Sequence, residues 1–266
     1  MSVAGLLDKT AVIVRRDALT AVRYRTGFLL GAAGAITELA AFYYLAQAVG
    51  PGFRPDGVEY FSFLLIGTGF YTFLLMGVHA FLQTVQEAQQ AGTLEVLMTT
   101  STSPPVLIFL SALSAFVVNT VTLAFYLIMG LVFGAFLKAN VFGSIVVFLL
   151  SILLAVAMGL LAAAVQLAIQ KGSAVVWAIG SVWFLTGTMF PVATLPLWLR
   201  RVSAAIPITH ALDAMRMALL EGLSMPQLLG KLGILAAFVA FLLPFSLWVF
   251  SWALRRARQE GTLSFY

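Results

Sequence analysis

The sequence predicts an all-α protein that crosses a membrane several times, and two observations support this prediction. Of the 266 residues, 62% are apolar and only 9% are charged, whereas a soluble chain is about half apolar and about a quarter charged. The apolar residues form runs of about 20 or more, the length that a helix needs to cross a bilayer. Alternating ten-residue strands, which indicate a membrane barrel, do not occur.

The chain begins with a polar but patterned segment, residues 1–26. Leu6, Val12 and Leu19 recur at near-helical spacing, with Lys9 and Arg15 between them. This pattern predicts a basic amphipathic elbow helix lying in the membrane interface. An ordinary cytosolic extension also fits it.

Six transmembrane helices follow, in a single transmembrane domain that covers residues 1–266. We predict them at residues 27–49, 61–82, 104–137, 141–169, 174–190 and 232–254. An even number of spans places both termini on one side. The densest basic clusters lie near the two termini, which predicts a multi-pass protein of the cell membrane with both termini in the cytosol. These clusters are Lys9, Arg15, Arg16, Arg23, Arg25, Arg255, Arg256 and Arg258.

Small residues four apart occur in two of the spans. The first span has Gly27, Gly31 and Ala35, and the fourth has Gly159 and Ala163. Such rows allow helix backbones to approach closely in lipid, so they predict helix packing.

The loop after the second span, residues 85–103, contains carboxylates and glutamines but no Lys or Arg. Gly92 permits a sharp break. After it, Leu94, Leu97 and Met98 fall on one helical face. The loop therefore predicts a short amphipathic helix whose apolar ridge can enter a groove of a partner. On spacing alone, a connector whose ridge rests on lipid fits as well.

The segment before the last span, residues 187–228, is interrupted by Pro191, Pro196 and Pro207. The pieces between the prolines are too short to cross the bilayer and too apolar for an aqueous loop. Broken helices at membrane depth must pack against protein or line a cavity. We expect a re-entrant helical hairpin at the outer face, with an interfacial cap as the alternative.

Two motifs in these segments resemble the type-two ABC exporter permease family. They read GTLEVLMTT after span two and GTMFPVATLPLWLRR, continuing to IPITHALDAMR, after span five. The resemblance covers essentially the whole chain. It implies a cytosolic coupling helix, a separate ABC ATPase subunit that binds ATP and Mg, and a second permease copy or a homologue as partners within the lipid membrane.

The resemblance also assigns site residues. The ATPase-coupling residues are Glu87, Gly92, Thr93, Leu94, Glu95, Leu97 and Met98. The outer-gate residues are Met189, Phe190, Pro191, Pro196, Pro207, Thr209, His210, Asp213 and Arg216. The approach to Gly92 reads Gln-Glu-Ala-Gln-Gln-Ala, where the family is usually more charged, so the resemblance does not assign the polar contacts to the ATPase.

Glu38, His79 and Asn119 are polar residues inside predicted spans. An intramembrane ionisable group is a functional-site hypothesis by default, although such groups also join neighbouring helices. Glu38 is predicted about 16 Å from the inner membrane edge and His79 about 5–8 Å, at 1.5 Å per residue. A direct salt bridge between them is therefore not expected.

No phosphate-binding loop, catalytic triad or HExxH motif occurs in the sequence, and there is no cysteine. We therefore expect the chain itself to be no enzyme and to bind no cofactor or metal. His210 and Asp213 alone do not make a metal site. The basic residues flank spans, so no nucleic acid is expected.

The resemblance implies export of an amphipathic, lipidic or drug-like cargo. An ion-coupled secondary carrier using Glu38 and His79, and a non-transport assembly protein, are the alternatives. Ion-coupled secondary carriers usually have internal repeats with broken helices in both halves. The sequence shows no such repeats.

Overall fold

The computed structural model describes residues 25–92, 104–169, 177–178, 180–181 and 183–260. All regular structure in these residues is helical. The seven helices that we number are α1 (Arg25–Val49), α2 (Tyr60–Gln90), α3 (Pro104–Val132), α4 (Val141–Ile169), α5 (Leu197–Ala205), α6 (Pro207–Leu219) and α7 (Met225–Glu260). Short 3-10 turns lie at Pro55–Gly57, Trp183–Thr186 and Val192–Thr194.

Five of these helices, α1, α2, α3, α4 and α7, are long and apolar enough to span a bilayer. This confirms a polytopic, all-helical membrane protein. The fifth predicted span, residues 174–190, is described only in part, because residues 174–176, 179 and 182 lie outside the described residues. The elbow helix and residues 93–103 of the coupling segment also lie outside them.

The helix α2 lies at the centre of the packing. It contacts α3, α4 and α6, while α4 also packs along α7. Phe63, Leu74 and Phe81 of α2 are almost completely buried. A helix that is apolar on all sides is stable only inside a bundle or a membrane. Here protein surrounds most of it.

The bundle has two ends, which we name after the predicted orientation. The outer end contains the start of α2, the end of α3 and the short helices α5 and α6. The inner end contains the last turns of α2 and α4. Backbone hydrogen bonds tie the outer end together: Lys138 N–H donates to the Leu219 carbonyl at 2.9 Å, and Asn140 N–H to the Ala218 carbonyl at 2.8 Å.

Four predicted helix boundaries were wrong, and one of them is the end of the last helix, which lies at Glu260 and not at residue 254. The third span ends at Val132, before the predicted residue 137, because Gly134 has a φ of 98° and ends the helix as a left-handed cap. The second span runs past residue 82 to Gln90, and Gly92 (φ 64°) follows it. The last helix begins at Met225, ahead of residue 232.

The predicted fifth span also does not reach residue 190 as a helix. Its described end is the 3-10 turn Trp183–Thr186, after which Gly187 has a φ of 78°. The hydroxyls of Thr186 and Thr188 both donate to the Trp183 carbonyl, at 2.6 and 2.9 Å. These bonds use a carbonyl that a continuing helix would need.

The two rows of small residues behave differently. A methyl group added to Gly159 would overlap the ring of Phe81, so this row brings α4 close to α2. A methyl group on Gly31 would meet nothing within 4 Å. The row in α4 therefore packs as expected, whereas Gly31 in α1 faces open space within this chain.

Candidate functional site

The proline-rich segment forms two short helices at the outer end. Pro196 precedes α5, and Pro207 is the first residue of α6, a position where a missing N–H costs nothing. With 13 residues, α6 is about 20 Å long, too short to cross the bilayer. Its side chains are nevertheless mostly buried, because it packs against α2, α4 and α7.

The most connected residue of this segment is Arg216 of α6, whose side chain is buried. Its Nη1 donates to the Gly187 carbonyl at 2.7 Å. Its Nη2 donates to the carbonyls of Thr188 at 2.9 Å and Phe63 at 3.3 Å. The guanidinium carbon also lies 3.6 Å from the centre of the Phe63 ring. One side chain thus joins α6, the turn at 187–188 and α2.

The surroundings of Arg216 fit a planar cation. A methyl group at Gly67 would overlap both Arg216 Nη2 and the Thr188 carbonyl oxygen, so only glycine leaves room here. Burial lowers the pKa of Arg216 to about 10, and the charges of Asp213 and Asp56 act in the opposite direction. Arg216 is therefore still protonated at neutral pH. Main-chain carbonyls stabilise its charge by accepting hydrogen bonds. The planar guanidinium, with its five N–H donors, is better suited to such a site than an ammonium.

The turn that Arg216 holds is itself fixed by side chains. Thr186 Oγ1 and Thr188 Oγ1 are 2.7 Å apart, and both bond the Trp183 carbonyl. Met189 and Phe190 are half-buried beside the turn, and Pro191 is buried. The hydroxyl network keeps the carbonyls of residues 187 and 188 directed towards α6.

His210 and Asp213 take separate partners. His210 Nε2 lies 2.8 Å from the Ala204 carbonyl of α5, and its ring stacks on Phe238 of α7 at 5.4 Å. Asp213 forms an ion pair with Lys231 of α7 at 3.0 Å. These residues fasten α6 to its neighbours, together with Thr209, whose hydroxyl lies 3.4 Å from that of Ser203.

At the inner end, a cluster of glutamines precedes the predicted coupling helix. Gln166 of α4 donates to the Gln89 side chain at 3.2 Å and accepts from Gln86 at 3.4 Å. Gln89 and Gln166 are buried. Glu87 is exposed and accepts from Gln83 of its own helix at 2.9 Å. The cluster fixes the end of α2 to α4 one turn before Gly92.

Sequence reasoning missed Gln89 and Gln166 as partners. It read Gln86 and Gln89 as part of a polar loop and placed Gln166 inside the fourth span. The available signal was the spacing of Gln86 and Gln89, which are three residues apart and so share a helix face. Of the predicted coupling residues, the structure places Glu87 and Gly92. The other five, Thr93, Leu94, Glu95, Leu97 and Met98, lie outside the described residues.

The predicted intramembrane polar residues lie in two different parts of the structure. Glu38 of α1 and Asn119 of α3 line one cavity of about 190 Å³ between α1, α2 and α3. His79 does not line it; it is exposed on α2, further towards the inner end. Among the described residues no ion pair joins Glu38 and His79, as their predicted depths required.

A family model described as ABC-2 type transporter matches residues 9–220. This stretch is well over half of the chain and contains α1 to α6, so the protein belongs to the ABC-2 type transporter family. It is an integral membrane permease component of an ABC transporter, the transmembrane subunit and not the ATPase. Members of the family typically work with a separate ABC ATPase. No curated protein matches the sequence.

Proposed function

We propose that this chain is the permease subunit of an ATP-driven exporter and that α2 transmits the work of the ATPase across the membrane. In this proposal two permease copies, each with both termini in the cytosol, enclose the pathway for an amphipathic cargo. A separate ATPase, which binds ATP and Mg, contacts the segment after Gly92. No catalytic residue is required of the permease itself.

The observation that supports the proposal is the continuity of α2. It is one helix from Tyr60 to Gln90, about 45 Å long at 1.5 Å per residue. Its inner end is fixed to α4 by the glutamine cluster and leads into the coupling segment. Its outer end holds Phe63 and Gly67, which contact Arg216. A displacement at Gly92 therefore has a rigid route to the outer-gate segment.

The coupling step is tested with the separate ATPase subunit, which is to be isolated by copurification with the chain. We expect Leu94→Asp to abolish the stimulation of ATP hydrolysis by the permease, because a charge on the apolar ridge cannot enter a groove of the partner. Glu95→Ala is expected to reduce or abolish it. The measurement compares ATP hydrolysis by the reconstituted complex with hydrolysis by the ATPase alone.

The matched control is Glu260→Ala, which removes an exposed carboxylate at the inner end of α7 and should leave stimulation unchanged. Membrane insertion must be normal in all three variants. Unchanged stimulation in both Leu94→Asp and Glu95→Ala would contradict the proposal.

A further inference from the structure

The cavity between α1, α2 and α3 combines features of a ligand site. It has a volume of about 190 Å³ and receives Glu38 from α1, Thr72 from α2 and Asn119 from α3. Apart from Thr122, its other walls are apolar or aromatic, and Gly34 of α1 leaves space on one side. A mostly apolar pocket with a few convergent polar groups is the usual form of a small-molecule site.

Three polar groups that line this cavity have no side-chain partner within the described part of the chain. The carboxyl of Glu38, the amide of Asn119 and the hydroxyl of Thr72 take part in no side-chain hydrogen bond or ion pair there. Glu38 lies near the middle of α1, about 16 and 20 Å from its two ends. It therefore lies close to the bilayer centre, where an unpaired charge is expensive.

The aromatic wall of the cavity is held in place by its own contacts. The hydroxyl of Tyr126 lies 3.1 Å from that of Thr68. Phe73 stacks on Phe148 at 5.0 Å and meets Phe116 at 6.1 Å, edge to face. Aromatic side chains that line a cavity beside a carboxylate favour an organic cation, because an aromatic ring attracts positive charge.

Two other ligands, a metal ion and a transported proton, fit the cavity less well. Among the described residues there is no group of three His, Cys, Asp or Glu side chains, and one carboxylate with an amide is too few ligands for calcium or magnesium. A proton relay through this cavity needs a second titratable side chain beside Glu38, and His79 does not line the cavity.

We propose that the cavity, which we call the Glu38 pocket, binds the cationic head of an amphipathic ammonium compound. The carboxylate of Glu38 pairs with the charge, Phe73 and Tyr126 contact the alkyl groups around the nitrogen, and Asn119 accepts any N–H. The pocket is open at Thr72 and Met76, which are exposed, so a hydrocarbon tail can extend outside it. The further step, that cationic amphipaths are the exported cargo, rests on the proposed function.

The test uses a pair of photoactivatable probes. One is an alkyl trimethylammonium compound with a diazirine in the chain, and the other is its neutral tert-butyl analogue, which has the same shape without the charge. Membrane vesicles containing the full chain are labelled at pH 8, and covalent labelling of peptides from α1, α2 and α3 is quantified. We expect about tenfold stronger labelling by the cation, the order expected when a desolvated cation gains an aromatic and an anionic contact.

Three variants complete the experiment. Glu38→Gln should remove the preference for the cation, and Glu221→Gln, which changes an exposed carboxyl outside the pocket, should retain it. Gly34→Leu fills the space with the carboxyl still present and should reduce labelling by both probes. Equal labelling by the two probes, or a preference that survives Glu38→Gln, would overturn the proposal. Labelling requires no ATP, so its outcome is independent of the coupling test above.

Discussion

The first two long helices, α1 and α2, are both apolar enough to span a bilayer but have opposite environments. Both are apolar runs of membrane-spanning length, yet only 6% of the apolar stretch of α1 is buried within the chain, against 78% of that of α2. In the described part of α1, Leu39 is the one buried side chain. Apolar composition therefore places a helix in the membrane, but it does not decide whether protein or another partner covers it.

The difference assigns different roles to the two helices. The contacts of α2 connect the glutamine cluster at the inner end with Arg216 at the outer end, so its side chains hold the bundle together. In α1, a methyl group added to Gly31 or Gly34 would meet nothing within 4 Å, and Glu38 lines the pocket. The surface of α1 is therefore available for a ligand. We expect substitutions in the contacts of α2 to affect stability and coupling, and substitutions on α1 to affect binding.

The largest effect is expected at the outer contact of α2. Arg216→Met removes the donors to the carbonyls of Phe63, Gly187 and Thr188 and leaves these buried. We expect a loss of about 3 kcal/mol or more in the free energy of unfolding, because each unpaired buried group costs about 1–3 kcal/mol. Unfolding of the purified protein in detergent measures it.

Its control is Arg201→Met at an exposed position of α5, for which we expect a change within about 0.5 kcal/mol. Similar losses in the two variants would show that Arg216 is not the main connection of α6 to α2.

A smaller effect is expected at Gly67 on the same face of α2. In Gly67→Ala the added methyl group overlaps Arg216 and the Thr188 carbonyl, so the helices must separate, at a cost of about 1–3 kcal/mol. Gly34→Ala makes the same change in open space on α1 and should be neutral or slightly stabilising, since alanine is the better helix former by about 1 kcal/mol.

Thermal unfolding of the two alanine variants under identical conditions checks this pair. A destabilised Gly34→Ala protein beside an unaffected Gly67→Ala protein would reverse the comparison between α1 and α2.

The sequence predicts a helix boundary when the residues that set it are neighbours in the sequence. The bounds of α1 and α4 follow from apolar runs that end at turn residues, Gly50-Pro51 for α1 and Lys138-Ala139-Asn140 before α4. The extension of α2 does not, because residues 83–90 are mostly polar. The buried Gln89 in this stretch accepts from Gln166, a partner 77 residues away in sequence.

At the candidate site, too, local sequence signals are visible and contacts between distant residues are not. The prolines and Arg216 are visible in the outer motif, and they predict a broken segment with a charged residue. The partners of Arg216 are main-chain carbonyls, which every residue carries, so sequence alone does not identify them. Likewise Glu38 and Asn119 can be singled out as intramembrane polar residues, but their meeting in one cavity depends on how α1, α2 and α3 pack.

The smallest effect on stability is expected at the inner end. Gln89→Leu leaves the amide donor of Gln166 without this acceptor, and we expect a loss of about 1 kcal/mol. The neighbouring Gln90→Leu changes an exposed side chain and should cost less. The sharper readout is ATPase stimulation, which should fall in Gln89→Leu because the end of α2 is no longer fixed to α4. Equal stimulation of ATP hydrolysis in the two variants would show that the glutamine cluster has no role in coupling.

The most direct measurement of the central claim introduces flexibility into α2 and follows the outer end. Spin labels at Val141→Cys and Leu197→Cys, both exposed at the outer end in a chain without native cysteine, report one distance with and without trapped nucleotide on the ATPase. The flexible variant carries His79→Gly and Gln83→Gly, at exposed positions of α2. Each glycine costs about 1 kcal/mol of helix stability relative to alanine.

Two controls accompany it: alanine at the same two positions, and the pair Thr37→Gly and Ala41→Gly at exposed positions of α1. If α2 transmits the motion, the nucleotide-dependent change in distance disappears only in the glycine variant of α2, while nucleotide binding persists in all. A distance change that survives in that variant would contradict the account, as would a loss confined to the glycine variant of α1.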